Sequence, residues 1–174
     1  AWEETKKLFT RISDEAKQNG MSLLYHNHDF EFTKVGDEYQ YDIMFRDLNG
    51  HLDPEPDTCW MKHGGVNPAE YIRKYGDRIN VVHLKDLTYV DGEGKPAYAL
   101  IGDDGSEAKQ GEAEKKTVVL VPLGKGINDF GSILEACSDN NVEYAIVEQD
   151  NFTGITPLEG MAESRRYLKD TFGL

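Results

Sequence analysis

The sequence predicts an α/β chain in which parallel strands are joined by crossover helices. Four short apolar runs have the length and composition of strands: Ser22-Leu23-Leu24-Tyr25-His26, Gly50 to Asp57, Ile79-Asn80-Val81-Val82-His83 and Tyr144-Ala145-Ile146-Val147-Glu148. Segments with helical spacing separate them. Each run ends in a residue that can bind a divalent metal or move a proton, namely His26, Asp57, His83 and Glu148. In a closed parallel barrel, catalytic groups sit at the C-terminal ends of the strands, so these four would meet at one point.

The elements follow in order. Glu3 to Asn19 places Leu8, Phe9, Ile12 and Ala16 at helical spacing, and Gly20 stops the helix. The first strand is Met21 to His26. A turn at Val35-Gly36-Asp37-Glu38 precedes an amphipathic stretch from Tyr41 to Leu48. The second strand ends by Asp57. Asn67-Pro68-Ala69-Glu70 supplies the cap and the proline of a helix start, and that helix runs to about Tyr75. The third strand ends at His83. Residues 88–117 then read as a long glycine-rich insertion, with a hairpin around Asp91-Gly92-Glu93-Gly94. Val118 to Val121 is a short strand that leads into Pro122-Leu123-Gly124-Lys125-Gly126. A helix from Asp129 to about Asn140, the fourth strand, and a last helix started by Thr156-Pro157-Leu158 and running to about Thr171 complete the chain.

Four strands are half of what a parallel barrel with this layout needs, which is about eight. The chain, residues 1–174, therefore reads as one partial barrel domain, the C-terminal half of a (β/α)8 barrel. Four strands alone leave edges and apolar core open. A second copy, forming a homo-oligomer, or an N-terminal half-barrel is expected to complete it.

Composition narrows the partners. Nineteen Lys and Arg against 32 Asp and Glu give a net charge of -13, which disfavours nucleic acid because such binding draws on a positive surface. No apolar run approaches the length needed to span a bilayer, so no membrane partner is expected. The first residues lack the apolar region of a secretory signal, and a cytoplasmic location is expected. The chain does not begin with Met, which leaves an earlier targeting segment open. Cys59 and Cys137 have neither metal-ligand spacing nor the density of a disulfide framework, and are expected to be reduced and packed.

Four motifs then stand in order: Tyr25-His26-Asn27-His28-Asp29-Phe30-Glu31-Phe32, Asp57-Thr58-Cys59-Trp60, Val82-His83-Leu84-Lys85-Asp86 and Val147-Glu148-Gln149-Asp150. Together they resemble the last four strands of the sugar phosphate isomerase/epimerase family, the xylose-isomerase-like group of TIM barrels related to endonuclease IV. The resemblance implies one divalent ion, manganese first with magnesium or zinc as alternatives, held by side chains of these strands. It implies a small-molecule sugar substrate and proton transfer next to a carbonyl. Endonuclease chemistry, suggested by the fold relationship alone, is opposed by the acidic charge.

Residue by residue, the resemblance implies Asp57, His83 and Glu148 as metal ligands. Relatives that epimerise sugars commonly carry Glu at the first ligand position. Here that position is His26, with Glu31 as the alternative five residues on. His28 and Glu148 are the expected catalytic groups for proton transfer. Glu31, Trp60 and Lys85 are the expected substrate contacts; Lys85 could bind a hydroxyl, a carboxylate or a phosphate, and Trp60 and Phe30 could offer ring faces. Other readings stay open: Asp57 as a helix cap with Asp53 as the true strand end, and Trp60 as a core residue. His51 and His63 read as loop or surface residues. Isomerase or epimerase is the leading activity. A lyase, dehydratase or keto-glycoside-cleaving reaction on the same site is the alternative, and a non-catalytic half-barrel is a third.

Overall fold

The computed structural model describes residues 1–91 and 116–174. The chain divides into two compact units, Ala1–Leu84 with Asp129–Ile146, and Lys85–Asn128 with Val147–Leu174.

The first unit opens with helix α1 (Trp2–Gln18), which has Glu3 and Glu4 in its first turn and Lys17 in its last, each favourable to the helix dipole. Gly20, at φ +72°, takes the left-handed conformation that ends it. The expected apolar stripe is only partly used. Ser13 is the buried residue of this helix, whereas Leu8 and Ile12 stand exposed. The described elements cover less of α1 than its sequence pattern offers.

Strand β1 (Leu24–His26) is followed by a small hairpin of β2 (Lys34–Val35) and β3 (Glu38–Tyr39), turned at Gly36 as its φ of +67° requires. Helix α2 (Gln40–Asp47) leads to β4 (Asp53–Glu55), which lies parallel to β1 with His26 opposite Glu55. Past β4, Pro56 O accepts from His83 N at 2.8 Å, and Asp57 and His83 form a parallel bridge. That bridge joins β4 to β5 (Val81–Leu84), which in turn pairs with β8 (Tyr144–Val147). The four predicted strands are therefore neighbours in chain order.

Helix starts follow their caps. Asp57 caps α3 (Thr58–His63), a helix the sequence pattern left unassigned between the second strand and Asn67. Asn67 Oδ1 accepts from Ala69 N ahead of α4 (Pro68–Tyr75), and Asp129 caps α5 (Phe130–Asp139). The core of this unit gathers Phe32, Tyr41, Met44, Phe45, Leu48, Leu52, Met61 and Tyr71. Tyr41 is fully buried, with its ring stacked on Phe32 at 5.0 Å.

Arg78 ties α2 to β4. Its guanidinium donates to Asp53 Oδ1 (3.1 Å), Phe45 O (3.2 Å) and Leu52 O (2.7 Å), and lies over the Phe45 and Tyr75 rings. Asp53 is thus engaged at the start of its strand. Replacing Arg78 by Ala strands two carbonyls and a carboxylate, and is expected to cost about 2–3 kcal/mol in urea unfolding.

In the second unit, β6 (Asp86–Asp91) pairs antiparallel with β7 (Lys116–Val121), from Asp86↔Val121 to Asp91↔Lys116. The region read as insertion therefore begins in an ordered strand. Its expected turn at Asp91-Gly92-Glu93-Gly94 extends beyond the described residues. Buried Asp86 accepts from the backbone N–H groups of Leu87, Gly124, Gly126 and Asn128, fixing the loop after β7. A Cβ on Gly126 would meet Leu87 O at 2.2 Å, so this close approach requires glycine. Helix α6 (Pro157–Phe172) starts with a reciprocal Thr156–Glu159 capping box.

Both cysteines are free and buried, and burial pushes the Cys137 thiol up to about 11. No helix among the described residues is long and apolar enough to cross a membrane.

Candidate metal centre

Parallel pairing sets the ends of β1, β4 and β5 side by side, and the last residues of these runs carry the polar groups. His26 closes β1. Asp57 follows β4 by two residues, and His83 lies within β5. Each offers one ligand atom, and these atoms lie within 4.8 Å of one another. His26 Nε2 is 3.2 Å from Asp57 Oδ2. The rings of His26 and His83 meet edge to face, with centroids 4.6 Å apart.

Asp57 is wholly buried and uses its two oxygens differently. Oδ1 accepts from Trp60 N at 2.9 Å and caps α3, while Oδ2 faces His26. The cap reading of this residue holds, and its second oxygen lies in the donor group. Its own N–H donates to Asn27 Oδ1 (3.0 Å), which locks the loop after β1 to the end of β4. Thr58 Oγ1 donates to His83 O at 3.1 Å, placing the start of α3 against β5.

The donor set fits a divalent cation. Ligand bonds of roughly 2.0–2.3 Å place two donors on one ion at most about 4.6 Å apart. The observed spacing needs adjustments of only a few tenths of an ångström. A buried carboxylate facing two imidazoles supplies one hard oxygen and two nitrogens, a combination suited to manganese or zinc more than to magnesium.

His28 lies beside this group. Its ring stacks on Phe30 (5.5 Å, 6° between planes), and stands 5.5 Å from His26 and 5.4 Å from Trp60. Glu31 is buried and braces this loop: Oε1 accepts from Tyr25 Oη at 2.5 Å, and Oε2 from His28 N at 2.9 Å. Burial, reinforced by the Glu31 carboxylate, pushes the Tyr25 hydroxyl well above its ordinary range, so it stays a donor. Of the two candidates for the first ligand, His26 joins Asp57 and His83, whereas Glu31 has both oxygens committed to the brace.

Trp60 is 2% exposed. It packs as a core residue against His28 and His63, while Phe30, 52% exposed, presents an open ring face. His63 ends α3, 3.8 Å from Asp29, and His51 lies 3.5 Å from Asp14. In the second unit, Lys85 is buried with its ammonium 3.2 Å from Glu148 Oε2 and 3.0 Å from Asp150 Oδ2. Such a lysine is held by carboxylates rather than offered to solvent.

The sequence reading missed Glu55, Asn27 and Asp150. Glu55 carried a signal: two residues before Asp57, strand periodicity puts it on the same face.

Comparison with known proteins sets this geometry in a family. The xylose isomerase-like TIM barrel family matches residues 1–171. The chain belongs to that family. Among curated relatives, inosose dehydratase of Clostridium perfringens is 28% identical over 183 residues, covering 99% of this chain and 56% of the relative. The chain thus spans about half the length of the curated relatives it matches. Among solved structures, a sugar phosphate isomerase/epimerase from Parabacteroides distasonis superposes with a TM-score of 0.70 at 22% identity, over 97% of this chain and 53% of that one. A xylose isomerase-like TIM barrel protein from Mycobacterium smegmatis, in complex with magnesium, gives 0.63 at 16% identity, over 97% and 49%. These structural likenesses establish the fold.

Proposed function

We propose that this chain carries the metal-binding and proton-transfer groups of an enzyme acting on a sugar or keto-sugar. The observation that carries the reading is the convergence of His26, Asp57 and His83 at adjoining strand ends, with His28 beside them. Glu148 is the fourth ligand in this reading, because it directly follows β8, the strand paired with β5. Manganese is the preferred ion, with magnesium or zinc as alternatives. When bound, a divalent ion polarises a sugar carbonyl and acidifies the adjacent C–H.

The chain's own residues do the rest. His28 removes the proton next to the carbonyl, as a neutral imidazole can near pH 7. Its stacking on Phe30 and the Glu31 brace hold the ring in one place, which a proton transfer between fixed atoms demands. Glu148 returns a proton at the neighbouring atom or the opposite face. Phe30 offers its ring to the C–H face of the sugar. Trp60 acts from behind, by packing on His28. Glu31 serves by bracing His28, and Lys85 by pairing with Glu148 and Asp150.

Return of the proton gives an isomerase or epimerase. A second reading is elimination, in which loss of a β-hydroxyl follows the same proton removal. Two observations favour it: the curated relative named above is a dehydratase, and His26 stands where the family resemblance expects Glu in epimerases. In both readings the chain is one partial domain, the C-terminal half of a barrel, completed by a second copy or an N-terminal half. Its four neighbouring strands and the half-length match support this.

The test is solvent exchange. Manganese-loaded protein in D2O should place deuterium on the carbon next to the carbonyl of a keto-sugar or inosose, followed by proton NMR. Epimer or water-loss products in the same spectra separate the two readings. Metal-loaded protein that exchanges none of these C–H positions would contradict both.

A further inference from the structure

We propose that Glu55 is a positioning residue that fixes the His83 ring so that Nδ1 is its metal-donor atom. The inference rests on the metal reading above. His83 Nε2 and Glu55 Oε1 are 2.6 Å apart, short for a nitrogen–oxygen hydrogen bond and typical of a charge-assisted one. A carboxylate only accepts, so Nε2 carries a proton, and in the neutral imidazole that a metal requires Nδ1 keeps its lone pair. Strand periodicity puts Glu55 and Asp57 on one face, and the parallel bridge puts His83 opposite Asp57. The carboxylate thus reaches the imidazole from the residue two before the ligand it serves. Both side chains are mostly buried, 14% exposed for His83 and 21% for Glu55, so water competes weakly for the bond. An imidazole held by a carboxylate on one nitrogen is a stronger and better aimed ligand through the other.

Two measurements test this. Nitrogen-15 NMR of histidine-labelled, metal-free protein should show His83 protonated at Nε2 with Nδ1 bare. The reverse tautomer overturns the proposal without any variant. Isothermal titration with Mn2+ should show Glu55→Ala weakened by roughly 10–100-fold, the usual effect of losing such a partner. Glu55→Gln, which keeps an acceptor, should recover the tautomer and most of the affinity. A merely structural ion pair would shift thermal unfolding in Glu55→Ala but leave Mn2+ affinity within about twofold of wild type, and that result overturns the proposal. If wild-type protein binds no Mn2+, the metal reading falls and this proposal with it; an unaffected Glu55→Ala removes the proposal alone.

Discussion

Asp57→Ala is expected to abolish tight divalent-metal binding and to destabilise the fold, and Asp57→Asn to separate the two effects. The separation follows from the split use of the carboxylate. Oδ1 caps α3 through Trp60 N, and Oδ2 faces His26. Alanine removes both oxygens. It should lose about 1 kcal/mol of capping and, as a lost direct ligand, lower Mn2+ affinity by more than the roughly hundredfold limit seen for outer partners. Asparagine keeps an amide oxygen that can cap α3 but removes the negative charge. Its urea unfolding should approach wild type while Mn2+ titration remains flat. An asparagine variant that binds Mn2+ normally would show that the Asp57 charge holds no cation.

The second large effect is kinetic. His28→Ala in the active assembly should lower kcat by a factor on the order of 10²–10⁴, the range for a lost general base, with Mn2+ affinity near wild type. His28 lies beside the donor group rather than in it, and its ring is held by Phe30, Trp60 and a backbone bond to Glu31. Some loss of thermal stability should accompany the change, because Phe30 loses its stacking partner. Full turnover in this variant would move the role of base to Glu31 or Glu148.

Much of this architecture was legible because strand ends and caps are local signals. Asn67-Pro68 and Asp129 mark helix starts by hydrogen-bonding chemistry within a few residues, and both function as caps. His26, Asp57 and His83 were legible as a group because each ends a short apolar run, and parallel pairing brings such ends together. What sequence did not reveal depends on long-range partners. Trp60 has the character of a sugar-facing ring, yet its neighbours cover it almost completely. Lys85 reads as an open cation, but two carboxylates downstream hold it. Glu55 gave no signal beyond sharing a strand face with Asp57, because its meaning comes from a histidine 28 residues away. Leu8 and Ile12 show the converse: a clear apolar stripe that stands exposed among the described residues.

The most direct test of the central claim is pulsed electron paramagnetic resonance of the protein loaded with one equivalent of Mn2+. Ligation by His26 and His83 predicts hyperfine coupling to two ring nitrogens, reduced to one in His83→Ala if that variant retains any ion. A bound Mn2+ without nitrogen coupling, or wild-type protein that takes up no Mn2+, would contradict the account.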